Sequence, residues 1–187
     1  MQNPGPTHWE VLEHIIIHLR SIKDLGLTFG RQSKPTAEGF CDAGWGGQKH
    51  HHSISGYSFH MEAGAILWSS KKQHVIALSS AEAEYIVQMH TAKQGLWLHS
   101  FLWELCSTHD DLLIINCDNQ GTIALAKDNK FHMCYHFIHK VVEDGKITAQ
   151  YILTRDNISN IFTKPLTKAK FWELAKLLGL CVILCKV

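Results

Sequence analysis

The spacing of apolar residues along the chain changes repeatedly, and each change predicts a new element. After the breaker cluster Asn3-Pro4-Gly5-Pro6, the residues Trp9, Leu12, Ile15, Ile16 and Leu19 recur every three or four positions. That period belongs to an amphipathic helix, opened by the capping box Thr7-x-x-Glu10 and running to about Leu19, whose apolar face needs something to pack against. A linker ends at Lys34-Pro35-Thr36, and a first strand then closes near Asp42. Ile54 to Met61 and Gly64 to Ser69 read as strands about the turn Glu62-Ala63-Gly64, with a further arm across Val75-Ile76-Ala77-Leu78. A second capping box, Ser79-x-x-Glu82, starts a long helix whose apolar stripe is Tyr85, Met89, Ala92, Leu96 and Trp103, with His99 its one polar member.

The run Leu112–Asp118 is apolar on both faces, as a central strand should be. Asn119 to Asp128 and Phe131 to Asp144 look helical, the second closed by Gly145. Ile147 to Leu153 reads as a strand. Asp156 can cap a short helix through Thr163 that Pro165 stops, and a last amphipathic helix runs from Lys168 to Leu178 with Gly179 past its end. The expected order is β-β-β-α-β-α-α-β-α behind a separate helix.

Two of these strands end alike, Gly39-Phe40-Cys41-Asp42 and Leu112-Leu113-Ile114-Ile115-Asn116-Cys117-Asp118. An aspartate closing an apolar strand either starts a turn or is a partly buried carboxylate in need of a positive partner. Glu82 and Glu84 are two apart and project from nearly opposite sides of a helix, so one site can use only one of them. Glu82 has the capping position, which leaves Glu84 at the edge of the buried face, as a solvated side chain or as a third acid. Carboxylates gathered at strand ends and a helix start can hold hard divalent cations through oxygen, which points to metal-assisted phosphodiester chemistry.

With 187 residues and a formal net charge of +1, the chain suits one domain plus appendages, and any affinity for nucleic acid must come from a local basic patch. Lys71-Lys72, at the end of a strand, reads either as a solvated turn or as a grip on a phosphate backbone. His50-His51-His52 lies in a loop, where adjacent residues seldom converge on one ion. The six cysteines include no C-x-x-C pair; Cys41 and Cys117 sit in apolar strands as buried thiols, so a reducing compartment is expected. No signal peptide opens the chain and no run reaches the ~20 apolar residues of a membrane span. The expected location is intracellular, cytoplasmic or nuclear, and not secreted.

Trp68-Ser69-Ser70-Lys71-Lys72-Gln73, Ala77-Leu78-Ser79-Ser80-Ala81-Glu82-Ala83-Glu84-Tyr85 and Cys117-Asp118-Asn119-Gln120 resemble the ribonuclease H domain of copia-type LTR retrotransposon polyproteins. Ser55-Gly56-Tyr57, Ala124-Leu125-Ala126, Tyr135-His136-Phe137-Ile138 and Ile161-Phe162-Thr163-Lys164-Pro165-Leu166 extend the likeness in the right order, up to Leu180. Asn3-Pro4-Gly5-Pro6-Thr7-His8-Trp9 is similar to the segment that joins reverse transcriptase to that domain. The resemblance implies an α/β, RNase H-like fold: a five-stranded mixed sheet flanked by helices, with an extra N-terminal helix and a C-terminal helix. It divides the chain into a linker helix at 1–35, the RNase H-like domain at 36–166 and a C-terminal helix and tail at 167–187.

The same resemblance implies two Mg²⁺ or Mn²⁺ ions held by four positions: Asp42, Glu84, Asp118 and Asn160. Between them the ions would activate a water and stabilise the departing 3′ oxygen. The implied substrate is the RNA strand of an RNA–DNA hybrid, recognised by shape and 2′-OH contacts. Lys71, Lys72, Asn119 and Gln120 are the expected nucleic-acid contacts, and the reverse transcriptase domain of the parent polyprotein is the expected partner.

Three departures stand out. Asn160 occupies the place of the family's fourth acid, with Asp156 one turn earlier able to compensate in part. Asp42-Ala43-Gly44-Trp45 lacks the second aspartate of the usual Asp-Ala-Asp-Trp. A basic stretch of about seven residues is missing between His132 and Tyr135, where only Met133 and Cys134 remain. Two readings therefore stand side by side, a metal-dependent hybrid ribonuclease and an inactive remnant that keeps the fold as a nucleic-acid-binding or polymerase-packing module.

Overall fold

The computed structural model describes residues 5–30, 37–46, 51–106, 112–127 and 136–183. In chain order they form α1 (Pro6–Ile22), β1 (Leu25–Leu27), β2 (Ala37–Gly44), β3 (Ile54–Met61), β4 (Gly64–Lys72), α2 (Ser80–Cys106), β5 (Leu113–Cys117), α3 (Gln120–Lys127), α4 (His136–Glu143) and β6 (Ile147–Tyr151). Two 3₁₀ turns follow, Thr154–Asp156 and Ile158–Phe162, and then α5 (Lys168–Leu177) and β7 (Leu180–Val182).

The main sheet is five-stranded, in the order β4-β3-β2-β5-β6. Strands β2, β3 and β4 are antiparallel neighbours, whereas β5 runs parallel to β2 and β6 parallel to β5. Because β2 and β5 are adjacent and point the same way, Asp42, two residues before the end of β2, and Asp118, just past β5, emerge side by side at the same end of these two interior strands. That is the carboxyl end of parallel strands, where open α/β sheets place their ligands.

Helix α2 covers this sheet. Half of its expected capping box forms: Ser79 Oγ accepts from the Glu82 N–H (3.1 Å), whereas Glu82 Oε2 accepts from the Leu78 N–H (2.7 Å), one residue ahead of the expected cap. The expected stripe needs correction. Tyr85 and Ala92 are buried, but Trp103 is 53% exposed, and the line of closest contact runs instead through Ala83, Val87, Thr91 and Leu98. Thr91 stays inside because its hydroxyl donates to the Val87 carbonyl (2.8 Å), so a polar residue serves the core. Trp103 lies in the helix's last turn, with Trp97, Phe101 and Leu105 also exposed.

Other boundaries also move. Helix α1 starts at Pro6, with Gly5 as its cap and the Gly5 N–H donating to His8 Nδ1 (2.9 Å), so the Thr7 box is not used. None of its residues is buried; among the described residues its nearest ring contact is His18 against Phe171 (5.8 Å between centroids). No strand forms across Val75–Leu78. The ladder closes where the Gln73 N–H donates to the Ser53 carbonyl, and Val75, Ile76 and Leu78 beyond it are exposed. Strand β4 instead continues to Lys72, β6 stops at Tyr151, and residues 131–135, with the shortened connection, lie outside the described residues.

Strands β1 and β7 pair antiparallel and draw the end of α5 toward the start of β4, where the Ala65 N–H donates to the Leu178 carbonyl. Gly179 makes the reversal at φ +86, and a Cβ there would lie 2.6 Å from the Ala63 carbonyl oxygen.

Candidate metal centre

Each acid reaches the site from a different element. Asp42 comes from β2 and is fully buried, Asp118 follows the last residue of β5, and Glu84 sits in the second turn of α2. One carboxylate oxygen from each lies within 4.8 Å of the others.

Two supports hold Asp42. Lys164 Nζ donates to its Oδ1 at 2.9 Å, and the Thr163 hydroxyl donates to its Oδ2. Both donors follow the 3₁₀ turn Ile158–Phe162, which docks on β2 and β3 through glycines. A Cβ at Gly44 would stand 2.6 Å from the Thr163 carbonyl oxygen, and one at Gly56 2.6 Å from Thr163 Cγ2. The glycine replacing the second acid of the motif therefore admits the backbone that carries Thr163 and Lys164.

Asn160 belongs to the same turn and is buried. Its Nδ2 donates to the Thr154 carbonyl (2.6 Å) and the Asn157 carbonyl (2.8 Å), and its Oδ1 accepts from Lys164 Nζ at 2.7 Å. These partners fix the amide orientation, since an oxygen facing two carbonyls would be repelled. Lys164 thus bridges Asp42 and Asn160. Nothing in the sequence reading marked it, although it stands four residues after Asn160 inside the matched run.

Asp156 does not compensate. It is exposed, pairs with Arg155 at 3.5 Å, and lies outside the cluster of acids. Nor does it cap the turn, because that cap is Asn157, whose Oδ1 accepts from the Ser159 N–H (3.1 Å). Asn119 caps α3, its Oδ1 accepting from the N–H groups of Gly121 (2.9 Å) and Thr122 (3.3 Å), and Gln120 beside it is exposed. Lys71 and Lys72 are exposed at the end of β4. Beneath the acids, Cys41 and Cys117 are buried free thiols with Sγ atoms 3.0 Å apart. Their hydrogen bond first, and burial second, push the Cys41 thiol well above its usual range, which keeps it protonated.

Burial, and then the charges of Asp42 and Asp118, raise the Glu84 carboxyl from 4.5 to about 8, against smaller opposing effects of the Ala43 backbone and Lys164. Such crowded hard-oxygen donors fit a divalent cation, which would relieve their repulsion. A stability effect follows. An acid whose folded pKa lies above its unfolded value contributes stability that is full below about 4.5 and lost as the pH rises to about 8. Metal-free protein should therefore melt at a lower temperature at the upper end of that range than at the lower. Glu84→Gln should flatten the profile, and a profile unchanged by that substitution would contradict this account.

A five-stranded mixed sheet in this order, flanked by helices, is an RNase H-like fold. The solved structure of LC11-RNase H1, in complex with an RNA/DNA hybrid, has the same fold: TM-score 0.51, 12% identity, covering 68% of this chain and 94% of that one. In sequence the chain is 36% identical over 188 residues to the Retrovirus-related Pol polyprotein from transposon TNT 1-94 of Nicotiana tabacum, covering 96% of this chain and 14% of that protein. Its identity to the Retrovirus-related Pol polyprotein from transposon RE2 of Arabidopsis thaliana is 30% over 187 residues, covering 96% of this chain and 13% of that protein. Its homologues are thus retrovirus-related Pol polyproteins of copia-type transposons, matched over 96% of the chain, and its structural neighbours are RNase H domains. The chain spans about a seventh of those relatives' length. No family model matches it.

Proposed function

We propose that this domain hydrolyses the RNA strand of RNA–DNA hybrids in a divalent-metal-dependent reaction. The observation that carries this reading is the convergence of Asp42, Glu84 and Asp118 within 4.8 Å. Those three residues would hold the ions, with Asn160 contributing a neutral amide oxygen at the fourth position. Bound there, two Mg²⁺ or Mn²⁺ ions would supply an activated water and charge stabilisation at the leaving oxygen. The chain's own part is to fix the carboxylates: Lys164 and Thr163 set the rotamer of Asp42, and the α2 cap sets the depth of Glu84. Because Asn160 brings no charge and its oxygen is engaged by Lys164, the metal affinity of this copy is reduced. Lys71, Lys72, Asn119 and Gln120 would lie along the bound hybrid. The exposed face of α1, with Trp9, Ile16 and Ile17, would meet the reverse transcriptase domain of a parent polyprotein.

A second reading, an inactive remnant, is favoured by one observation, the Lys164 ammonium seated on oxygens of both Asp42 and Asn160. One experiment separates the two. Purified protein is incubated with a hybrid labelled on its RNA strand, across a series of Mg²⁺ and Mn²⁺ concentrations and with chelator. Cleavage confined to the RNA strand, dependent on metal and abolished by chelator, is the expected result. An intact RNA strand at every metal concentration selects the remnant.

A further inference from the structure

Helix α2 outruns the sheet it covers. Its 27 residues rise about 40 Å, whereas the eight residues of β2 beneath it extend about 26 Å. Leu98 is buried; beyond it Phe101 and Leu105 continue the core-facing side of the helix but are 44% and 65% exposed, because the strand has ended. Trp97, one turn ahead of Phe101, is 56% exposed and stacks on it, with ring centroids 5.4 Å apart and planes 11° from parallel. From Gln94 to Cys106 the single carboxylate or ammonium group is that of Glu104.

Three features mark this overhang as one half of a symmetric contact. First, Trp97, Phe101 and Leu105 form one contiguous stripe, and large apolar side chains gathered in this way mark an interaction surface. With the stems of the flanking charged residues they offer on the order of 500 Å² per chain. Second, the charges beside the stripe are placed symmetrically. Lys93 and Glu104 are eleven residues apart, about three turns, so they share the side of the helix that carries Trp97 and Phe101. The pair Lys93 and Glu104 is centred between residues 98 and 99, and the pair Trp97 and Phe101 on residue 99. An antiparallel second copy of the helix, related by a two-fold axis at that point, sets Lys93 against Glu104 of the other copy on both flanks. The same axis lays one Trp97–Phe101 stack on the other. Parallel helices would instead oppose lysine to lysine and glutamate to glutamate, which repel. Third, both charges are accessible. Glu104 makes no ion pair among the described residues, and Lys93 is exposed, with its Nζ 5.4 Å above the Phe137 ring.

We propose that the exposed end of α2 is a homodimer interface, in which two copies of this chain pair antiparallel through Trp97, Phe101 and Leu105 with a Lys93–Glu104 ion pair at each flank. A second copy fits better than an unrelated partner because one chain supplies both signs of charge at matched distances from a single axis. Such rim pairs add little affinity but fix orientation and register. Two such surfaces together bury about 1,000 Å², the lower end of specific interfaces, so association falls in the micromolar range. Glu84 stands roughly 22 Å of helix rise from the axis, toward the other end of α2. The metal centres therefore lie at the outer ends of the paired helices, and the contact needs neither ions nor nucleic acid.

The test is sedimentation equilibrium of the full chain in EDTA, without nucleic acid, from about 1 to about 200 μM. The apparent mass should rise with concentration from 21.2 kDa toward twice that value. Trp97→Ala combined with Phe101→Ala should weaken association more than about tenfold. Glu104→Lys and Lys93→Glu should each weaken it at least about fivefold, because like charges then meet across both flanks. The two reversals in one chain should restore it to within about twofold of wild type, since the exchanged charges attract again. Melting curves matched to wild type establish that the variants are folded. If Lys93→Glu unfolds through loss of the Phe137 contact, Glu104→Lys decides alone. A chain that stays at 21.2 kDa throughout overturns the proposal and assigns the overhang to a different partner. A dimer indifferent to the aromatic substitutions overturns it too, as does a charge reversal that the double variant does not repair. Cleavage plays no part in these readouts, so the nuclease reading stands or falls separately.

Discussion

Replacing Asp42 by asparagine should lower metal-dependent hybrid cleavage by more than about 100-fold, since losing even an outer-shell partner of a metal ligand costs 10–100-fold. Asp42 is the fully buried member of the cluster, and Lys164 and Thr163 hold both of its oxygens. The substitution keeps its shape. An asparagine can turn its oxygen to Lys164 and its Nδ2 to the Thr163 hydroxyl, so both neighbours retain a partner. What disappears is one negative charge at the cations, where catalysis by electrostatic preorganisation is most sensitive. The variant should therefore stay folded and lose cleavage at every metal concentration. Cleavage at the wild-type rate would remove Asp42 from the machinery and, with it, the metal reading of the whole cluster. A variant that fails to fold would instead show that the Lys164 pair is needed for stability, and circular dichroism distinguishes that result from a catalytic loss.

Periodicity and capping chemistry made the scaffold around Asp42 legible in the sequence. Two apolar strands closing on aspartate, and a Ser79-x-x-Glu82 box just ahead of Glu84, placed three acids at element ends. The parallel pairing of β2 with β5 then brings two of those ends together. What the pattern could not reveal depends on contacts between distant segments. Strands β1 and β7 have three residues each, too few to show any alternation, and exist because Gly179 turns the chain back against the start of β4. The core line of α2 passes through Thr91 and Gly95, which a count of apolar residues leaves out. At Gly95 a Cβ would meet Leu113 Cδ2 at 2.3 Å, so helix and sheet approach most closely where no side chain signals it. Val75–Leu78 has the composition of a strand, but the side chain of Gln73 is anchored to Ser55 and Ala83 and the ladder ends there. Lys164 is the instructive omission. Its role arises from a 3₁₀ turn closing over Gly44 and Gly56, more than a hundred residues away in the chain.

That turn decides what a restored fourth acid would do. Asn160→Asp should destabilise the metal-free protein by at least about 2 kcal/mol and increase the stabilisation gained from divalent metal. In the present rotamer Nδ2 donates to two backbone carbonyls at 2.6 and 2.8 Å. A carboxylate there would set an oxygen against both carbonyls, which would keep only the longer backbone bonds from the Asn157 N–H (3.3 Å) and the Asn160 N–H (3.2 Å), in a residue only 5% exposed. The pairing with Lys164 at the other oxygen offsets part of this cost, because a salt bridge replaces the ammonium's hydrogen bond to a neutral amide. To escape the carbonyls, the carboxylate must turn toward the other acids, where metal-free repulsion opposes it and a bound cation rewards it. Metal that binds only the folded state raises stability by RT ln(1 + [metal]/Kd). The melting temperature of Asn160→Asp should therefore start below that of wild type in EDTA and rise further as Mg²⁺ or Mn²⁺ is added, with cleavage appearing at lower metal concentrations. Equal melting temperatures in EDTA would show that the two carbonyls do not constrain the amide. An equal response to metal would mean that position 160 does not face the ions, and would remove Asn160 from the proposed metal centre.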